Sequence, residues 1–184
     1  MTKLSLKKTV ALVGMMGCGK SAIGRSLAQR FGVPLLDSDG AIEEAAQSSI
    51  AEIFARDGEP FFRRREAEVI ARLLSGPPGI LSTGGGAFLS AETREAIAAK
   101  GIAVWLDAPL DLLWERVRHK DTRPLLRTAD PYGALRALFD ARVPVYAKAG
   151  LRVPVRPGAS IEETTDQVIA HLRQQPDILA EAAA

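Results

Sequence analysis

Gly14-Met15-Met16-Gly17-Cys18-Gly19-Lys20-Ser21 is the stretch on which the reading of this chain turns. It fits the pattern G-x-x-x-x-G-K-[ST], a phosphate loop. Glycines let such a backbone curl until its N–H groups converge on phosphate oxygens, and a helix opening there adds the positive end of its dipole. Lys20 then bridges the β- and γ-phosphates, and the Ser21 hydroxyl takes Mg²⁺. The candidate nucleotide contacts are Gly17, Cys18, Gly19, Lys20, Ser21 and Ala22, with Cys18 read as a small residue packed in the loop. A chance match in one chain of this length is on the order of one in a hundred at ordinary glycine usage. The alternative, a glycine-rich turn without a ligand, is weakened further by the flanks. Residues 9–13 are an apolar run suited to a strand buried on both faces, and residues 20–31 repeat Ile23, Leu27 and Phe31 every four positions, as a helix does.

Outward from the loop the chain alternates. Short apolar segments at 34–36, 79–82 and 102–106 predict three more strands, and 151–155 reads as a fifth. Helical spacing covers 42–46, 50–56, 59–74, 91–100, 110–118, 132–148 and 161–173. Ser49 with Glu52 predicts an N-cap, Ser160 is another, and Pro144 is a candidate break in its helix. Five strands alternating with helices predict an α/β fold: a five-stranded parallel sheet with helices on both faces. Ligands in such folds sit at the carboxyl ends of the strands. That focuses attention on the phosphate loop, on Asp37-Ser38-Asp39, on Gly84-Gly85-Gly86 and on the loop after Leu106. The polar segment 119–129 reads as a mobile lid. Residues 1–175 read as one domain and 176–184 as a frayed tail.

Composition narrows the partners. The 184 residues are 47% apolar and 25% charged, with a net charge of +2, so neither a nucleic acid nor an anionic membrane is called for. One cysteine permits no intrachain disulfide and fits a reducing compartment. The start of the chain is too short and glycine-interrupted for a signal peptide or a span, so the expected location is the cytoplasm. Basic residues cluster at Arg63-Arg64-Arg65 and around Arg116 to Arg123, either as solvated helix faces or as a grip for small anions.

On the acceptor side, Asp37 and Asp39 are spaced to put both carboxylates on one side of an extended chain. A helix-starting Asp explains the pair as well, and Gly84 to Gly86 could be a flexible turn. The surrounding marks are more specific. Gly24-Arg25-Ser26-Leu27-Ala28, Ile53-Phe54, Gly58-Glu59, Phe62-Arg63, Arg123-Pro124-Leu125-Leu126 and Arg142-Val143-Pro144-Val145-Tyr146 follow the phosphate loop in order. With the Asp and Gly marks they resemble the shikimate kinases over roughly residues 10–146.

That resemblance implies a P-loop kinase fold with a lid, ATP and Mg²⁺ as cofactors, and shikimate as the phosphoryl acceptor. It implies that Asp37 helps hold the Mg²⁺ shell beside Ser21. It implies that Asp39 bonds the substrate hydroxyl, as base or as orienter. Arg63 and Arg142 would grip the substrate carboxylate, and Gly84, Gly85 and Gly86 would meet the substrate through backbone. Arg123 would reach the γ-phosphate from the lid, and Arg116 would stack on adenine. The catalytic set is then Lys20, Asp39 and Arg123, in a monomer. Guanidinium forks suit a carboxylate, and phosphoryl transfer depends on positioning and charge stabilisation. The rival readings are a gluconate or nucleoside monophosphate kinase, and a non-catalytic nucleotide-binding regulator. Asp107 reads as a turn residue, and Trp105 and Trp114 as core.

Overall fold

The structure is a computed structural model and describes residues 4–120 and 126–181. Strand β1 (Leu4–Leu6) precedes β2 (Thr9–Val13), all five of whose residues are buried. Helix α1 (Lys20–Phe31) leads to β3 (Leu35–Asp37), α2 (Ser38–Ala46), α3 (Ile50–Asp57) and α4 (Glu59–Leu74). Then come β4 (Ile80–Ser82), a 3₁₀ turn (Ala87–Leu89), α5 (Ala91–Lys100) and β5 (Gly101–Asp107). Helices α6 (Leu110–Val117) and α7 (Pro131–Tyr146), strand β6 (Leu151–Pro154), α8 (Ile161–Leu172) and β7 (Leu179–Glu181) complete the described elements.

The central sheet has the order β3-β4-β2-β5-β6, and every neighbouring pair is parallel. Burial on both faces explains why the inner strands β4, β2 and β5 read as apolar runs, whereas the edge strands β3 and β6 are partly exposed. Helix α1 packs on α8 and α4 on α5, covering the sheet. From β2 the chain passes over β4 to reach β3, and from β4 it passes over β2 to reach β5. The carboxyl end of β2 therefore opens where the winding reverses, the place such folds reserve for ligands. The phosphate loop begins there.

Three expectations are corrected. Residues 176–181 are not a frayed tail. Strand β7 pairs antiparallel with β1, Leu4 opposite Glu181, while Ile178 and Leu179 are buried in the main core. Pro144 does not break α7, which runs on to Tyr146. The N–H that Pro144 lacks would have served the carbonyl of Asp140, an exposed residue where water can substitute. Nor is the chain extended across 37–39, because α2 begins at Ser38. Asp107 ends β5, and its carboxylate holds Arg152 at 2.6 Å.

Candidate active site

Two glycines shape the phosphate loop. Gly17 has φ +82°, and a Cβ there would lie 2.9 Å from Cγ1 of Val117 in α6. Gly19, at φ +107°, is the N-cap of α1. Neither conformation suits a side chain. Helices α3 and α8 carry full capping boxes, whereas α1 has no side-chain cap and no acid in its first turn. Its leading N–H groups are left for an anion. Lys20 Nζ donates to the carbonyls of Gly14 (2.7 Å) and Met15 (3.1 Å) and lies 3.8 Å from Sγ of buried Cys18. Arg116 Nη1 donates to the carbonyl of Gly17 at 3.0 Å and so ties α6 to the loop.

The loop forms one wall of a cavity of about 580 Å³. Residues Gly17 to Ala22 and Arg116 line it, and so do Asp39, Gly84 and Gly85 from the acceptor side. Val155, Ala159, Ser160, Ile161 and Thr164 form the rim beyond Arg116. None of these rim residues was assigned from sequence as a contact. The signal was available in their position, just past the carboxyl end of the fifth sheet strand. Ser160 does cap α8, with its Oγ accepting from the N–H of Glu163.

Asp39 sits in the first turn of α2. Burial pushes its carboxyl above the ordinary carboxylate range, aided by the charges of Asp37 and Glu43 and opposed by those of Arg63 and Lys20. Asp37 has a second job: its Oδ1 accepts from the N–H of Asp39 at 3.2 Å and caps α2. Asp37 is exposed and does not line the cavity, although it lies opposite Ser82 in the sheet, near the carboxyl ends that surround the loop. The Ser21 hydroxyl and the Asp37 carboxylate are hard oxygen donors and suit Mg²⁺.

Behind Gly84–Gly86 stand the basic residues. A Cβ on Gly84 would be 3.0 Å from Oδ1 of Asp39 and 3.5 Å from Oε2 of Glu66. One on Gly85 would be 3.3 Å from Nη1 of Arg142, and one on Gly86 would run into the guanidinium of Arg63. The three glycines leave the space that the side chains of Asp39, Arg63 and Arg142 border, and Gly85 and Gly86 form a turn. Arg63 in turn donates to Glu66 Oε1 at 2.7 Å. Glu66 is a buried carboxylate that burial pushes upward and Arg63 holds down. It was not singled out from sequence, yet its i, i+3 spacing from Arg63 on a helix was legible. Arg123, and with it residues 121–125 of the proposed lid, lies outside the described residues.

A phosphate loop at the carboxyl end of a parallel sheet, facing a carboxylate and a glycine turn across one cavity, with Arg63 and Arg142 beside those glycines, marks a P-loop kinase of a small acid. Comparison with known proteins makes this specific. The shikimate kinase family model matches residues 16–173. A shikimate kinase of Ruegeria pomeroyi is 62% identical over 175 residues, covering 95% of this chain and 90% of that one. One from Cereibacter sphaeroides is 58% identical over 174 residues, covering 95% and 87%. The solved shikimate kinase of Acinetobacter baumannii, in complex with shikimate, superposes with a TM-score of 0.83 at 36% identity, covering 91% of this chain and 94% of that one. The chain belongs to the shikimate kinase family.

Proposed function

We propose that this enzyme transfers the γ-phosphoryl group of ATP to the 3-hydroxyl of shikimate, giving shikimate 3-phosphate and ADP. That step belongs to the biosynthesis of chorismate and the aromatic amino acids. The observation that carries it is the single cavity joining Gly17–Ala22 to Asp39 and Gly84–Gly85. A donor phosphate and an acceptor hydroxyl can meet there.

The chain's own groups divide the work. The backbone of the loop and the open N-terminus of α1 hold the phosphates. Rotation of the Lys20 side chain exchanges the carbonyls of Gly14 and Met15 for phosphate oxygens. Asp39 orients the attacking hydroxyl and accepts its proton as the new P–O bond forms and the β,γ-bridging P–O bond breaks. Arg63 and Arg142 take the substrate carboxylate, where planar guanidinium forks match it. Arg116 lies along the adenine side. Mg²⁺, held by Ser21 and Asp37, would neutralise charge on the phosphates. Arg123, on the family's pattern, would close on the γ-phosphate. No helix among the described residues is long and apolar enough to cross a membrane. We read the protein as a cytoplasmic monomer with residues 1–175 as its kinase domain, extended by the packed end of the chain.

The test is ADP release from purified protein with ATP and Mg²⁺, with and without shikimate. Shikimate-dependent turnover at ~1–100 s⁻¹ is expected. Turnover that instead follows gluconate or a nucleoside monophosphate sinks the assignment.

A further inference from the structure

Helix α7 carries Arg142 and Tyr146 four residues apart, on one face. Tyr146 is fully buried, yet its side chain ends in a polar group that needs a partner. It has one outside its own helix. The hydroxyl donates to the carbonyl of Gly85 at 2.6 Å, a short bond spanning 61 residues of sequence. The Arg142 guanidinium flanks the same glycine, 3.3 Å from where its Cβ would be. One helix therefore meets Gly85 twice, once by a hydrogen bond and once by a cation.

We propose that Tyr146 is a positioning residue whose hydroxyl sets the orientation of the Gly84–Gly86 backbone against Arg142, and through it the affinity for the carboxylated acceptor. This rests on the shikimate reading above. The physical reason is the freedom of the segment. Three consecutive glycines have more backbone conformations to lose than any other tripeptide, and a hydrogen bond to the Gly85 carbonyl restricts them. Burial raises the tyrosine's pKa, with the charge of Arg142 opposing it, so the hydroxyl keeps its proton and remains a donor at working pH. The ring is held as well, with its centroid 6.4 Å from that of Trp105 in β5.

The experiment compares wild type with Tyr146→Phe, which removes one oxygen and keeps the ring. Leu135→Ala, also on α7 and fully buried, is the control for general loss of stability. Expected for Tyr146→Phe are a rise of roughly tenfold in KM for shikimate, KM for ATP and kcat within about twofold, and faster amide exchange confined to residues 84–87. A tenfold change corresponds to about 1.4 kcal/mol, within the range of a single buried hydrogen bond. Unchanged exchange at 84–87 overturns the proposal. So does a shikimate KM that stays at the wild-type value, or one that rises equally in Leu135→Ala. Wild-type protein without shikimate-dependent turnover overturns the substrate reading instead, and the exchange measurement still decides whether Tyr146 holds the glycines.

Discussion

Arg63 Nη1 lies 2.7 Å from Oε1 of Glu66, and that carboxylate side chain is only 3% exposed. A partly buried guanidinium is thus held from behind by a buried acid, while its Nε lies 3.5 Å from Oε1 of exposed Glu59. Removing the acid's charge while keeping its shape isolates this role. Glu66→Gln is expected to raise KM for shikimate roughly tenfold, the loss of about 1.4 kcal/mol from a charge-assisted bond. KM for ATP should stay within about twofold. Steady-state kinetics with each substrate varied checks it, and an equal rise for both substrates would place the effect in the fold instead.

Asp39 predicts a pH dependence with a definite sign. Its folded pKa is raised, so catalysis by its ionised form fades at a pH above the ordinary carboxylate value as the medium is acidified. Asp37→Asn removes a like charge and keeps a competent cap, and should move the acid limb of kcat/KM to lower pH.

The same raised pKa bears on stability. The contribution of Asp39 to stability is present below its unfolded pKa and lost as pH rises through the folded value. Asp39→Asn should therefore lower kcat by about 10²- to 10⁴-fold while Tm at neutral pH stays level or rises. A fall in both would mean that the carboxylate supports the fold.

Two glycine substitutions should separate site from scaffold. In Gly86→Ala the new methyl meets the Arg63 guanidinium, the far end of a long side chain that can move aside. The protein should fold, with KM for shikimate up more than about tenfold. In Gly101→Ala the methyl meets the backbone carbonyl of Thr9, which β2–β5 pairing fixes in place. Overpacking there should cost about 1–3 kcal/mol and show first in Tm.

Ile178→Ala tests the packed end of the chain. The side chain is 2% exposed, and its truncation should cost about 2–5 kcal/mol with kinetics unchanged in the surviving fold. A frayed end would show a change within about 0.5 kcal/mol.

Much of this was legible in the sequence because it is local. The phosphate loop carries its own glycines, lysine and serine in order. Parallel strands buried on both faces advertise themselves as apolar runs, and the caps at Ser49 and Ser160 follow from neighbours three residues away. The ordered marks from Gly14 to Tyr146 identified the family for the same reason. Only tertiary structure decided the rest, because it depends on partners distant in sequence. Strands β1 and β7 are three residues each, too short to show a period, and each acquires its ladder from the opposite end of the chain. Glu66 looks like an ordinary helix residue, and Tyr146 is a family mark without a visible role, until the fold brings Glu66 beside Gly84 and Tyr146 onto Gly85. What appears from sequence as a loose run of three glycines is, once folded, a narrow gap whose width is set by the carboxylates and guanidiniums around it.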